Sequence, residues 1–471
     1  MNIILVVFDS LRKDCVGTYG SPPWGRVQTP HLDAFAQESL TLTRVFPEAL
    51  PTLPVRRALY TGQRVYPFHN ADFRLKGDFV GAPGWGPIPE DQDTLAELLS
   101  DRGGYRTALI SDVYHMFKPS MNFWRGFDQW MFLRGQEDDP CRSGPEPTKE
   151  QIDRWMAPEL QGQMPEFVDF IRDGLRNMYG REQEEDYFTA RVMIEAAHWL
   201  EQNQDAEKFF LTVESFDPHE LWFVPEYYRR MYDDTDGPEQ AFSLYGDADR
   251  MPPYLLRRAQ ANYSGLVTMC DRWFGHFYET MRVLGLLENT LVIVLSDHGH
   301  SIGDGNYFGK RGYPSRPEVF DIVLFVRHPG GEGAGERSNL LLQHTDVCAQ
   351  ILDFAGVKPA QPIHGQPFWQ AAVGGGKPIR DHVTAAWGSA VTVINHRWWM
   401  NCKVDGGGVL LRDLNARRPF AENVADSNVE VVQRMYAQGV ADAGGGIPNY
   451  LLDLAASQSD APGCSPIAAR A

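Results

Sequence analysis

Long apolar runs are missing from this chain of 471 residues, and so is any excess of basic side chains. No stretch reaches the roughly 18 to 20 consecutive apolar residues that cross a bilayer, so no membrane span is expected. Lys and Arg number 44 against 62 Asp and Glu, a formal net charge of −18. Broad neutralisation of nucleic-acid phosphates needs the opposite balance, and that class is set aside. Cysteine is sparse: six residues (Cys15, Cys141, Cys270, Cys348, Cys402, Cys464) with no C-x-x-C spacing. Neither a disulfide scaffold nor a zinc knuckle is indicated, and reduced thiols are expected. The opening "MNIILVVFDS" lacks a basic region and a small-residue cleavage site and reads as a strand, not a leader. The expectation is a soluble, cytoplasmic protein with a sizeable core, open to small anionic substrates wherever a local site is cationic.

What is present is a βαβ rhythm. Ile3 to Phe8 is apolar without alternation, as in a strand buried on both faces of a mostly parallel sheet. Thr29 and Pro30 look like an N-cap and first helical position, opening "HLDAFAQES". "LPTLPVRRALYTG" (50–62) reads as a second helix, begun near Thr52 and closed by Gly62. "TLAELLSDRGGYRTALIS" predicts a helix, a glycine stop and another buried strand. "FFLTVES" (209–215), "TLVIVLSDHG" (290–299) and "IVLFVRHPG" (322–330) are strands that run into Asp, His or Gly, and "DVCAQILDFAG" (346–356) is an amphipathic helix. The fold class expected is α/β, a large mostly parallel sheet covered by helices on both faces, with a small C-terminal α+β subdomain. Residues 1–375 form the catalytic α/β domain in this reading, with polar insertions near 135–205 and 225–255; 376–450 form the subdomain and 451–471 a tail.

Ligands of open α/β sheets collect outside the carboxyl ends of strands. Asp9 ends the first strand, Asp217 and His219 follow the 209–215 strand in "SFDPHELW", and Asp297 and His298 end the 290–296 strand. Brought together, Asp9, Asp297 and His298 offer hard oxygens and one imidazole, a set that suits Zn²⁺ or Mn²⁺ better than an all-oxygen calcium cage. Thr52 would be a fourth ligand through its hydroxyl. Coordination lowers the pKa of such a group, much as bound water falls from about 15.7 to about 7. The helix N-terminus adds free N–H groups to the same anion. Arg56, one turn on, would hold the oxyanion, and Lys310 in "YFGKRG" is a second cation. Singly, each residue has an ordinary use: Asp after a strand is a turn residue, Thr before a helix an N-cap, Arg56 a solvated charge, His219 or His344 a bonded histidine. Their order along one sheet is what points to group transfer.

"IILVVFDSLRKDCVGTYG", "TPHLDAFAQESLTLTRVFPEALPTLPVRRALYTG", "DPHELW", "VIVLSDHGHSIGD", "FGKRG", "HTDVCAQILDFAGV" and "LLRDLNARRPFAENVAD", in that order, resemble the sulfatase-like branch of the alkaline phosphatase superfamily, from residue 2 to near residue 436. The resemblance implies a metal-assisted ester hydrolase. Asp9, Asp297 and His298 match the family's metal-binding positions, Lys310 the lysine after the metal pair, and His219 the histidine of the substrate-contacting segment. Thr52 falls where sulfatases carry the Cys or Ser of C/S-x-P-x-R that becomes formylglycine, with Pro54 and Arg56 completing the pattern. Thr cannot be oxidised to that aldehyde, so release of sulfate by carbonyl formation is closed, and a Thr-linked intermediate must be resolved by water. The phosphodiesterase branch and the phosphoethanolamine transferases use Thr here, which inclines the reading to phosphorus. Ser10 replaces a second Asp of many sulfatases, which leaves a set similar to that of phosphonate monoester hydrolases. Asp112 and Tyr114 take roughly the place of the family's "KWH" Lys and His, where a carboxylate would repel a sulfate monoanion.

The sequence therefore predicts a metal-dependent hydrolase of phosphodiesters or phosphonate monoesters with a Thr52 nucleophile, Arg56 and Lys310 stabilising charge and His219 as acid. The alternatives are a sulfate ester hydrolase working without formylglycine and a catalytically silent binding protein. One divalent ion, Zn or Mn, is expected. A second ion is the alternative, with Asp112, Tyr114, Asp217 and His300 as its ligands or as substrate contacts. The partner is a small anionic ester, not nucleic acid or membrane, and homo-oligomerisation stays open.

Overall fold

The computed structural model describes residues 1–69, 83–162, 165–240 and 245–457. Part of the Gly- and Pro-rich loop after the second helix, and the tail from 458 on, lie outside the described residues. The large sheet has eight strands, β1 (Asn2–Phe8), β2 (Leu40–Phe46), β3 (Arg106–Ser111), β4 (Gln129–Phe132), β5 (Phe209–Ser215), β6 (Thr290–Ser296), β7 (Leu324–Arg327) and β8 (Arg337–Gln343), in the spatial order β8-β2-β7-β6-β1-β5-β3-β4. All run parallel except β7, which is antiparallel to both its neighbours. Central β1 is buried at every position and shares its end with both neighbours, Phe8 opposite Ser215 and Ser296.

Seven helices matter for the site: α1 (Pro30–Gln37), α2 (Thr52–Thr61), α3 (Pro165–Met178), α4 (Phe188–Asn203), α5 (Pro253–Val283), α6 (His344–Ala355) and α7 (Val429–Asp442). The period of two in β1 sorts its side chains between two cores. Ile4, Val6 and Phe8 pack beneath α1, α4 and α5, while Ile3, Leu5 and Val7 pack beneath α2 and α6. The doubly covered sheet expected from the unalternated strands is therefore observed. α4 lies within the stretch read as a polar insertion, yet Val192, Met193, Ala196 and Leu200 recur at helical spacing and are fully buried against the sheet. The helix predicted after Thr94 is a short α turn, capped by Thr94 and Glu97, that widens into a π turn over Leu98–Arg102. Thr29 is the N-cap of α1, but its hydroxyl accepts from Gly17 N instead, and the free N–H groups of His31 and Leu32 are taken by Asp271 of α5.

β9 (Val383–Trp387), β10 (Ala390–Ile394), β11 (Trp398–Lys403) and β12 (Leu410–Asp413) form a four-stranded antiparallel sheet with α7 packed on it. This small sheet reaches the catalytic side: Ala386 N donates to Glu48 O, and Leu50 N donates to Ala386 O. The chain entering α2 is thus held as an extra ladder partner. Among the described residues, no helix is long and apolar enough to cross a membrane.

Candidate active site

Asp9 and Asp297 leave the carboxyl ends of the adjacent strands β1 and β6, and the register of those strands puts them side by side. Asp297 Oδ1 accepts from Ser10 N at 2.9 Å and from His298 N at 2.6 Å, which tethers the two strand ends. His298 Nδ1 lies 3.0 Å from Gly299 O; the carbonyl can only accept, so Nδ1 carries the proton and Nε2 presents a lone pair. That Nε2 is buried and has no hydrogen-bond partner. Burial pushes the His298 imidazole down to about 3, so it is neutral at pH 7. One ligand atom from each of Asp9, Asp297 and His298 lies within 4.8 Å of the others, and this is the sole such group of three found among the described residues.

Arg56 closes the cluster from α2. Its Nη1 donates to Asp9 Oδ2 at 3.0 Å, to Asp297 Oδ2 at 2.8 Å and to Thr52 O at 3.1 Å. On its other edge Nε donates to Glu214 Oε2 at 2.9 Å, and Tyr60 OH donates to Glu214 Oε1 at 2.7 Å. The sequence reading gave Arg56 to the oxyanion. The structure commits its buried guanidinium to three carboxylates and the backbone of Thr52. Glu214 escaped the sequence reading, although a carboxylate inside the otherwise apolar "FFLTVES" strand was a visible signal.

The charges decide whether a metal fits. Asp9, Asp297 and Glu214 carry three negative charges when ionised, Arg56 returns one, and His298 is neutral. Two negative charges are left over in a fully buried site. Burial, then the neighbouring Asp297, push the Asp9 carboxyl up, the response of a group short of positive charge. A divalent cation on Asp9, Asp297 and the orphaned His298 Nε2 would balance the site and give that nitrogen a partner. The residues fit the group.

Thr52 stands at the first position of α2, with Pro51, not Thr52, as the N-cap. Its side chain is buried, and its carbonyl is one guanidinium nitrogen away from both Asp9 and Asp297. Lys310 and His219 meet on the other side: Lys310 Nζ is 2.6 Å from His219 Nε2 and 3.2 Å from Glu220 Oε2. His219 Nδ1 lies 2.5 Å from Glu220 O and 3.5 Å from Glu137 Oε1. Glu137 Oε2 in turn lies 3.0 Å from His115 Nε2. His115, Glu137 and Glu220 were not singled out from the sequence. The first was displaced by its neighbour Tyr114; the others lie in polar stretches with no periodic signal.

The four residues offered as second-metal or substrate contacts lie outside the Asp9, Asp297 and His298 group. Asp112 Oδ1 accepts from Phe216 N at 2.6 Å, and Asp217 Oδ2 accepts from Thr189 N at 3.0 Å, at the start of α4. The Gln136 amide joins them, donating to Asp112 Oδ2 at 2.8 Å and to Asp217 Oδ1 at 3.0 Å. Burial and the Asp217 charge push Asp112 up to about 8, so the pair keeps a proton at neutral pH. Tyr114 OH donates to Asp138, and His300 Nδ1 lies 3.3 Å from Glu220 Oε2. Two of them, Asp112 and Asp217, spend their oxygens on Gln136 and backbone N–H groups, and His300 packs on the glutamate that also holds Lys310.

The sulfatase family profile matches residues 1–357. An arylsulfatase of Clostridium perfringens is 25% identical over 395 residues, covering 77% of this chain and 76% of its own. A multifunctional alkaline phosphatase superfamily protein of Trinickia caryophylli is 24% identical over 415 residues, covering 78% and 76%. The crystal structure of the phosphonate monoester hydrolase of Agrobacterium radiobacter superposes with a TM-score of 0.70 at 22% identity, covering 94% of this chain and 95% of that one. With the fold and the profile in agreement over the whole catalytic sheet, the chain belongs to the sulfatase family of the alkaline phosphatase superfamily, a family of ester hydrolases.

Proposed function

We propose that this protein hydrolyses phosphodiesters or phosphonate monoesters and that Thr52 is the attacking group. The observation that carries the reading is the position of Thr52: first residue of α2, buried, and bonded through its carbonyl to the guanidinium that bridges Asp9 and Asp297. Asp9, Asp297 and His298 would hold a divalent cation, zinc or manganese by donor type, which supplies Lewis acidity at that point when bound. Thr52 Oγ1 releases its proton to solvent and attacks phosphorus in line, forming the Thr–O–P bond as the ester bond to the leaving oxygen breaks. The leaving oxygen takes its proton from the Lys310–His219 pair, which already shares one across 2.6 Å. Water then attacks the same phosphorus and frees Thr52, since no aldehyde is available to expel the oxyanion.

Thr52→Ala is expected to lower kcat/KM by at least about 10³-fold with bound metal unchanged. Aryl phosphodiester, phosphonate monoester and sulfate ester compared on one preparation rank the substrates, the diester giving the highest kcat/KM. A clear preference for sulfate would favour the second reading, a sulfate ester hydrolase without formylglycine, which the family profile and the arylsulfatase relative support.

A further inference from the structure

Lys310, His219, His300 and Tyr245 converge on one carboxylate, that of Glu220, which is 2% exposed. A small antiparallel sheet beside the large one brings three of them together. Its middle strand, Tyr307–Gly309, pairs with Ser301–Ile302 on one side and with Gly246–Asp247 on the other, so Lys310, His300 and Tyr245 leave neighbouring strand ends. Glu220 Oε2 lies 3.2 Å from Lys310 Nζ, 3.3 Å from His300 Nδ1 and 3.4 Å from His219 Nδ1, and Oε1 accepts from Tyr245 OH. Burial alone would raise the Glu220 carboxyl, but His219, Lys310 and His300 outweigh it and hold the group well below the usual carboxylate range. It is a fixed negative charge beside the proton donor. The other charged or titratable groups facing the pair are Glu137, 3.5 Å from His219 Nδ1, and, farther off, Asp9, Asp217 and His298.

Glu220 acts on the pair from two places. Its backbone oxygen lies 2.5 Å from His219 Nδ1 and can only accept, so Nδ1 carries the ring proton and Nε2 is the acceptor toward Lys310 Nζ. Lys310 thus holds the transferable proton. Of its three N–H groups one goes to His219 Nε2 and one to Glu220 Oε2, and Lys310 makes no other hydrogen bond among the described residues. The third is left for the substrate. Tyr245 completes the clamp: Gly309, at φ +102°, lies against its ring, and a Cβ there would come within 2.7 Å of Tyr245 Cδ1. The phenol therefore touches the backbone ahead of Lys310 with its ring and the lysine's counter-charge with its hydroxyl. Burial, then the Glu220 charge, push the phenol up, so it stays a donor.

We propose that Glu220, fixed by Tyr245, is a positioning residue for the reaction: it aims Lys310 and keeps it charged until its proton goes to the leaving oxygen. The inference rests on the proton-donor role given to the Lys310–His219 pair and names what holds that pair ready. In the step itself an N–H bond of Lys310 breaks as the O–H bond of the leaving alcohol forms, and Glu220 stays ionised throughout.

The test compares Glu220→Gln, Glu220→Asp and Tyr245→Phe with wild type on the aryl ester that is cleaved best. Glu220→Gln keeps the shape and the backbone oxygen but removes the charge. It is expected to lower kcat about 10- to 100-fold with KM within about threefold. The alkaline limb of its kcat profile should move down by about one pH unit, because loss of the counter-charge favours the neutral amine. Glu220→Asp keeps the charge and should leave the limb where it is in wild type. Tyr245→Phe keeps the ring on Gly309 and frees the carboxylate to turn, so kcat should fall by about three- to tenfold with the limb unmoved. An unmoved limb in Glu220→Gln, the same displacement in Glu220→Asp, or wild-type kcat in Tyr245→Phe overturns the proposal. Labelling of Lys310 by acetic anhydride, read by peptide mass against surface lysines, keeps the test separate from turnover. In Glu220→Gln the lysine should be labelled about tenfold faster than in wild type at mildly alkaline pH, and equal rates overturn the clamp. Faster labelling in a protein that cleaves no phosphodiester upholds the clamp and refutes the diester reading instead.

Discussion

Two pairs of buried aspartates sit at the same edge of the sheet, and they solve the same electrostatic problem in opposite ways. Asp112 and Asp217, after β3 and β5, are joined by one amide and capped by two backbone N–H groups, and burial pushes both carboxyls up. Asp9 and Asp297, after β1 and β6, have no side-chain amide between them; they are tethered through Ser10, share one arginine with a third carboxylate and stand beside a neutral imidazole with an idle lone pair. The first pair is complete as it stands. The second is two positive charges short. The comparison teaches that a buried carboxylate marks a metal site through the charge its neighbours leave unpaid, not through its residue type.

The sharpest way to break this contrast is to remove a ligand from the incomplete pair. Asp297→Asn takes one charge and one donor oxygen from the cluster. Bound metal, read by elemental analysis, is expected to fall below one ion in ten chains, and kcat/KM about 10³-fold, the scale of several kcal/mol of Lewis-acid stabilisation. Full metal occupancy in this variant would refute the assignment.

Glu214 probes the same charge count from behind. Glu214→Gln preserves shape and keeps a partner for Tyr60, but reduces the leftover charge from two to one and loosens Arg56. Metal affinity and kcat/KM should each drop about 10- to 100-fold, as for other groups that orient ligands without touching the metal. Tyr60→Phe leaves every charge in place and should cost less than about tenfold. The ordering of the two variants is the check, measured as metal affinity in a chelator titration.

How much of this was legible in the sequence follows from where each residue sits. Asp9, Thr52, Asp297 and His298 were readable because each ends a strand or begins a helix, and a parallel sheet brings such ends to one edge. The sheet itself was readable because strands covered on both faces show no alternation. Arg56 was found without its carboxylate partners: its contact with Glu214 spans 158 positions, and no local pattern announces it. Gln136 could not be foreseen as the bridge between Asp112 and Asp217, since it lies in a polar, Pro- and Gly-rich stretch without period. Without that bridge the two aspartates looked like spare metal ligands.

The smallest expected effect sharpens the comparison from the complete side. Asp112 is pushed up to about 8 in the folded chain, against about 3.9 for a free aspartate. The folded state therefore binds a proton that the unfolded chain has released, and this group's contribution to stability is full below about pH 4 and is lost as pH rises through about 8. Asp112→Asn has no proton to lose. Whatever offset the substitution introduces at pH 6, the difference in Tm between variant and wild type should move in favour of the variant by about 2–4 °C on going to pH 9. Metal content and activity at pH 7 should stay within about threefold of wild type, because Asp112 touches neither the cation site nor Thr52. Parallel stability profiles would mean that Asp112 is ionised in the folded protein, and that the Gln136 bridge, not a retained proton, carries the pair.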